Sequence, residues 1–207
     1  SSDAPAMREV RAARGDIEVN VQTTGTVRPG NRLEIKPPLA GRAEEVLAQE
    51  GQAVRRGQIL AWMSSNERAA LLDAARAQGE AEVKRWAELY RPTAVVSPID
   101  GTVILRAIEP GQSFTTTDTL LVVADRLIVE AQVDETDIAQ VRLGQTATVV
   151  LDAYPGEPIP AKVSAIAFEA KTVNNVTTYT VDAQPGRIPP FMRSGMTTNG
   201  LFRLTRK

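Results

Sequence analysis

Displaced by 60 residues, the chain falls on itself. Pro38, Gly41, Gly51, Gln52 and Leu60 superpose on Pro98, Gly101, Gly111, Gln112 and Leu120, five identities without a gap. Each copy reads Pro-x-x-Gly, then a second Gly followed by Gln, then an apolar pair, Ile59-Leu60 or Leu120-Leu121. Short apolar stretches such as Ile59-Leu60-Ala61-Trp62 and Thr102-Val103-Ile104-Leu105, punctuated by Gly and Pro, read as short strands joined by tight turns. A unit with so few strands cannot bury its apolar face alone, so the copies must pair with each other. The expectation is one quasi-symmetric β-sandwich built from residues 32–63 and 93–124. Leu60 and Leu120 should sit at equivalent core positions, with Pro38, Gly41, Gly51, Pro98, Gly101 and Gly111 as the structural residues of the two half-motifs.

Between the copies, residues 64–92 change character. Glu67, Arg68, Ala69, Ala70, Leu71, Leu72, Ala74, Ala75 and Arg76 are strong helix formers. Ser64 or Ser65 is placed to cap a helix, with Glu67 three residues after Ser64 in a capping-box spacing. The pattern restarts after Gln78-Gly79 with Val83, Trp86 and Tyr90 on one face, and Pro92 ends it. Because the flanking half-motifs must meet, the insert has to return to its starting point, which predicts a helical hairpin turning near Ala77–Gly79. Each helix would have about 12 residues and a length of about 18 Å.

The remaining chain predicts β-structure. Residues 1–9 read as a disordered linker, and 10–31 as strands joining the barrel or a membrane-proximal region, since Ile17-Glu18-Val19-Asn20-Val21 alternates. From 125 to 207, strands are expected at 127–133, 146–151, 159–168, 177–183 and 198–204, with Asp134 capping a short helix through Val141. Tyr154-Pro155-Gly156-Glu157, Asn174-Asn175 and Pro185-Gly186 supply turns. That many short strands need their edges hidden, and a small barrel does so.

Composition narrows the function. Histidine and cysteine are absent, which removes Cys/His zinc sites, Ser-His-Asp and Cys-His nucleophile pairs and the imidazole base. A net charge of -1 offers no broad footprint for nucleic acid. No apolar run approaches the roughly 18 residues of a membrane span, and no signal peptide opens the chain. Asp134, Glu135 and Asp137 form the densest acidic cluster, which reads as a capped surface helix rather than a hydrolase pair. Trp62 and Trp86 read as buried side chains. No enzyme, metal or cofactor is expected.

The order of these segments resembles the periplasmic adaptor, or membrane fusion protein, family of bacterial efflux systems. Pro-Leu-Ala-Gly, Glu-Gly-Gln-Ala-Val-Arg-Arg-Gly-Gln-Ile-Leu, a helical insert, Ser-Pro-Ile-Asp-Gly-Thr-Val and Glu-Pro-Gly-Gln precede a β-barrel. Within this MacA-like/HlyD-like family, Leu127–Gly144 and Arg14-Gly15-Asp16 with Thr24-Gly25 are similar to the MacA-like branch, and Arg193-Ser194-Gly195-Met196 resembles the Gly-Met that precedes the family's last barrel strand. The resemblance implies a mainly β fold: a lipoyl-like sandwich (32–63 and 93–124) split by an unusually short α-helical hairpin (64–92) and followed by a small β-barrel domain (125–207). It implies a periplasmic subunit, anchored to the inner membrane by a segment outside these residues. That subunit would form a ring, six-membered by resemblance, linking an inner-membrane transporter, ABC-type favoured over RND-type, to a TolC-class outer-membrane duct or another envelope partner. The family's duct-contact pattern, Arg-x3-Leu-x6-Ser, falls on Arg68, Leu72 and Gly79, the last replacing Ser. The alternative is a lipoyl- or biotinyl-type carrier, which needs an exposed lysine on the turn joining the halves. The insert there offers only Lys84, inside a predicted helix.

Overall fold

The repeat folds by exchanging strands between two sheets. The computed structural model describes Gly15 and residues 17–206; the expected linker at 1–9, the start of the 10–31 segment, Arg14 and Asp16 lie outside the described residues. In chain order the first strands are β1 (Ile17–Pro29), β2 (Arg32–Ile35), β3 (Gly41–Val46), β4 (Ala53–Val54) and β5 (Ile59–Ser65). Helices α1 (Asn66–Arg76) and α2 (Glu80–Leu89) follow, then β6 (Thr93–Val96), β7 (Gly101–Arg106), β8 (Ser113–Phe114) and β9 (Leu121–Ala124). The last strands are β10 (Leu127–Asp134), β11 (Thr146–Val149), β12 (Ile159–Ile166), β13 (Lys171–Val173), β14 (Val176–Pro185) and β15 (Thr197–Arg206).

One sandwich sheet runs β2-β9-β7-β4 and the other β6-β5-β3-β8. The 60-residue displacement carries β2, β3, β4 and β5 onto β6, β7, β8 and β9, and so turns the first order into the second. Each sheet therefore holds strands of both halves. Even the irregularities repeat: the β3–β5 ladder bulges between Ala43 and Glu45, and the β7–β9 ladder between Val103 and Leu105. Between the sheets lie Ile35, Leu60, Met63, Val103, Leu120, Leu121 and Val123. Leu60 and Leu120 are both fully buried, each stabilising the fold by about 1.5–3 kcal/mol through removal of apolar surface from water.

The second domain is a closed antiparallel barrel. Its sheet runs β10-β1-β15-β11-β12-β14-β13, and a β10–β14 ladder closes it. Closure removes the open edges that separate strands of this length would expose. Val129, Ala131, Val133, Val181, Ala183, Phe202 and Leu204 point inward. β1 starts outside the repeat yet is the longest strand, pairing with both β10 and β15.

Three local expectations need correction. The helix cap is Ser65, whose Oγ accepts from the Arg68 amide at 3.0 Å, so the capping box with Ser64 and Glu67 does not form. Asp134 does not cap a helix: its carboxylate closes a turn by accepting from the Thr136 amide and hydroxyl, and only a single 3-10 turn, Ile138–Gln140, follows. Trp62 and Trp86 are half-buried rather than buried, because α2 contributes no buried residue and so leaves the seam beside them open. No helix among the described residues is long and apolar enough to cross a membrane.

Candidate functional site: two equivalent ports of the sandwich

The sandwich has two points where other structure plugs in, and the repeat makes them equivalent. The barrel joins where β2 begins and β9 ends, Arg32 standing opposite Ala124. The hairpin joins where β6 begins and β5 ends, with Gly41 opposite Ser65. These are the same positions 60 residues apart. They face opposite ways, because β4 ends opposite Gly101 at the barrel port and a short turn, fastened by the Gly57 amide on the Ser97 carbonyl at 2.7 Å, starts β5 there. Seven residues of β5 then carry the chain about 20 Å away to the hairpin.

The bulged residue of each repeat points to its own port. In β7 this is Ile104, which packs against the barrel's buried cluster, whose members include Leu127, Val129 and Phe202. In β3 it is Glu44, which meets Arg68 of α1 at 3.1 Å. Arg68 is buried, 7 % exposed, and its guanidinium also donates to the hydroxyl of fully buried Ser64 and to the Tyr90 carbonyl. Ser64 in turn donates to Glu44. One cation thus ties β3, β5, the start of α1 and the end of α2, where its charge also suits the helix C-terminus. Beside it, Arg42 of β3 clasps Asp73 through two bonds of 3.0 and 3.1 Å. That contact holds the Asp73 carboxyl below its ordinary range and the Arg42 guanidinium above its own.

At the barrel port the clasp is Asn31 on Asp125, through backbone and side-chain donors both at 2.7 Å. Burial pushes the Asp125 carboxyl up, but those two bonds and Arg126 together bring it below the usual value. On the barrel wall Arg28 bridges Glu130 and Asp182, the latter at 2.8 Å. Burial, helped by the neighbouring Glu130 charge, pushes the Asp182 carboxyl up in spite of Arg28.

Two family models match this arrangement in tandem: a CzcB-like barrel-sandwich hybrid domain over residues 31–125, and a CusB-like beta-barrel domain over 127–186. The chain belongs to the membrane fusion protein family, the periplasmic adaptors of efflux systems. An uncharacterized protein of Haemophilus influenzae is 27% identical over 79% of this chain and 51% of its own length. The multidrug export protein EmrA of Escherichia coli is 39% identical over 37% of this chain and 20% of its own length. The chain therefore spans about half, or less, of the length of these curated relatives. A crystal structure of MacA from Actinobacillus actinomycetemcomitans superposes with a TM-score of 0.57 at 22% identity, covering 93% of this chain and 80% of that one; this likeness shows the shared fold.

The half-motif residues lie in or beside the connections where the chain crosses between the sheets. Gly41 and Gly101 pack against the next strand so closely that a Cβ would stand 1.8 Å from the Ser64 carbonyl oxygen and 2.3 Å from that of Ala124. The duct-contact candidates separate. Gly79 stands exposed at the hairpin tip in a left-handed conformation, φ 108°. Arg68 and Leu72 lie inside the hairpin, with Leu72 4 % exposed, because Arg68 occupies the first turn of α1 rather than the tip. Sequence reasoning passed over Glu44, although the displaced alignment sets this carboxylate against an isoleucine, Ile104. A charge on a strand position whose copy is apolar was the available signal.

Proposed function

We propose that the chain is the non-enzymatic coupling core of a periplasmic adaptor subunit, joining an inner-membrane transporter, ABC-type by preference, to an outer-membrane duct or another envelope partner. The observation that carries this reading is the pair of oppositely directed ports: a sandwich with a closed barrel on one and a helical hairpin on the other is built to hold two partners apart in fixed geometry. A ring of such subunits would line up the barrels on the transporter side and the hairpins on the other.

The transporter-facing surface is the barrel end remote from the sandwich. There β1 begins, β15 ends and the β13–β14 turn protrudes, and there Phe168, Leu143, Val173 and Ile17 stand exposed. Large apolar side chains left in water at one rim mark a surface for a partner. A carrier function is disfavoured, since the insert's lysine, Lys84, lies within α2 rather than on a tight turn. Purifying the full-length, membrane-anchored protein from its own membranes tests the reading: an ABC-type transporter is expected to accompany it. Recovery of an acyl- or biotinyl-transferring complex instead would overturn it.

A further inference from the structure

We infer that Arg68 and Glu44 form a latch that sets the direction of the hairpin, and that this latch is the yielding joint of the subunit. The inference rests on the adaptor reading only for its purpose, since the geometry stands by itself. α2 contributes no buried residue, so beside the buried Ala69, Leu72 and Ala75 of α1 the hairpin is fixed to the sandwich by the Arg68 cluster, which also reaches the end of α2 at the Tyr90 carbonyl, and by the more exposed Arg42–Asp73 pair. At the equivalent port, Ile104 makes an apolar contact continuous with the barrel core. Apolar packing of that kind is disrupted only by opening the core. A buried cation shared among a carboxylate, a hydroxyl and a carbonyl depends on geometry instead, and a small rotation that breaks one bond leaves charge unpaired. Such a cluster has one good arrangement and so specifies one hairpin direction. Load applied at the hairpin should be relieved there, before the barrel port moves.

Arg68 is thus a positioning residue, acting through the hairpin it orients. The absence of cysteine allows spin labels at Gln78→Cys on the hairpin tip and Glu34→Cys on β2, with a second pair at Glu34→Cys and Lys162→Cys spanning sandwich and barrel. Pulsed electron–electron distance measurements on this chain should give a narrow tip-to-sandwich distribution. Glu44→Gln, which leaves the helix sequence untouched, should broaden it about twofold, and Arg68→Met should do so further, while Arg68→Lys recovers part of the order. The sandwich-to-barrel distribution should not change. Helical circular dichroism is recorded alongside, and if Arg68→Met loses helix the Glu44→Gln result alone decides. An unchanged tip distribution in Glu44→Gln, or equal broadening across the barrel port, would overturn the latch. If the distances behave as expected and export in cells is unaffected, the latch stands and it is the hairpin's role in the adaptor reading that fails.

Discussion

The Gly51 amide donates to the Val103 carbonyl at 2.8 Å, so a turn of the first half-motif is fastened to a strand of the second. Its counterpart, the Gly111 amide on the Ala43 carbonyl, is also 2.8 Å. Both glycines have φ near the left-handed region, 85° and 87°. The glycines that begin β3 and β7 have a different duty, which is close approach.

The two duties predict different costs. At Gly51 a Cβ would meet nothing within 4 Å, so Gly51→Ala pays only for backbone strain, about 1–2 kcal/mol. At Gly41 the same methyl would strike the Ser64 carbonyl, and the strand must move. Gly41→Ala should cost about 3–4 kcal/mol by urea unfolding. Equal losses at the two positions would show that strand approach does not matter there.

The hairpin should be the least stable part of the described chain. Helices of 11 and 10 residues are below the length at which isolated helices persist, so they depend on mutual packing. Leu72 is buried on α1, whereas Trp86 is half-buried and stacks on Tyr90 with ring centres 5.6 Å apart. Leu72→Ala should therefore loosen the hairpin by about 2–4 kcal/mol, and Trp86→Ala by less. Hydrogen exchange is the measurement: α2 amides should exchange far ahead of those in β9 and β10, and comparable protection would refute this.

Acid should act in opposite senses at two carboxylates. Asp125 titrates below its unfolded value, so its stabilisation is complete above that value and is lost as pH falls through the lower folded one. Asp182 titrates above its unfolded value; its favourable protonated state is fully present below the unfolded value and is lost as pH rises through the folded one. Asp125→Asn should destabilise most at pH 7 and least in acid. Asp182→Asn should be neutral or stabilising at pH 7, with the difference shrinking toward pH 3. Urea midpoints at the two pH values check both signs.

Much of this fold was legible because the repeat is a statement about pairing, not only about local propensity. Leu60 and Leu120 could be placed together without knowing a single contact. The closed barrel followed from the need to hide edges. Exact caps were not legible, because Ser64 and Ser65 are equally good caps by type, and burial of Ser64 against Glu44 and Arg68 decided between them. Strand β13 was missed: Lys171, Thr172 and Val173 are all exposed, so no alternation marks them, and their strand character comes from pairing with β14 across the Asn174-Asn175 turn. For the candidate site, spacing alone put Arg68 and Leu72 on a motif, but only the third dimension shows that they face inward.

That inward placement changes which substitutions can test the working surfaces. Arg68→Asp or Leu72→Asp would disrupt the hairpin itself, so lost export in either variant would not identify a contact. Exposed positions are needed. The Tyr154–Glu157 and Thr172–Val176 loops lie at opposite ends of the barrel: the first follows β11 on the sandwich side, while the second is the β13–β14 turn at the remote rim. A partner meeting the rim would bury Phe168 and Val173, which are 106% and 65% exposed, and charge placed there would oppose apolar docking. Phe168→Asp and Val173→Asp should therefore reduce export in cells at least about tenfold while leaving the unfolding midpoint unchanged. Substitution at Tyr154 should act mainly on stability, since its ring packs against Phe191 at 4.6 Å. Gln78→Asp, at the exposed tip, should have the smaller effect, because a hairpin of this length reaches only about 15 Å beyond the sandwich. If the tip variant abolishes export and both rim variants retain it, the hairpin is the principal contact and the rim is not the transporter-facing surface.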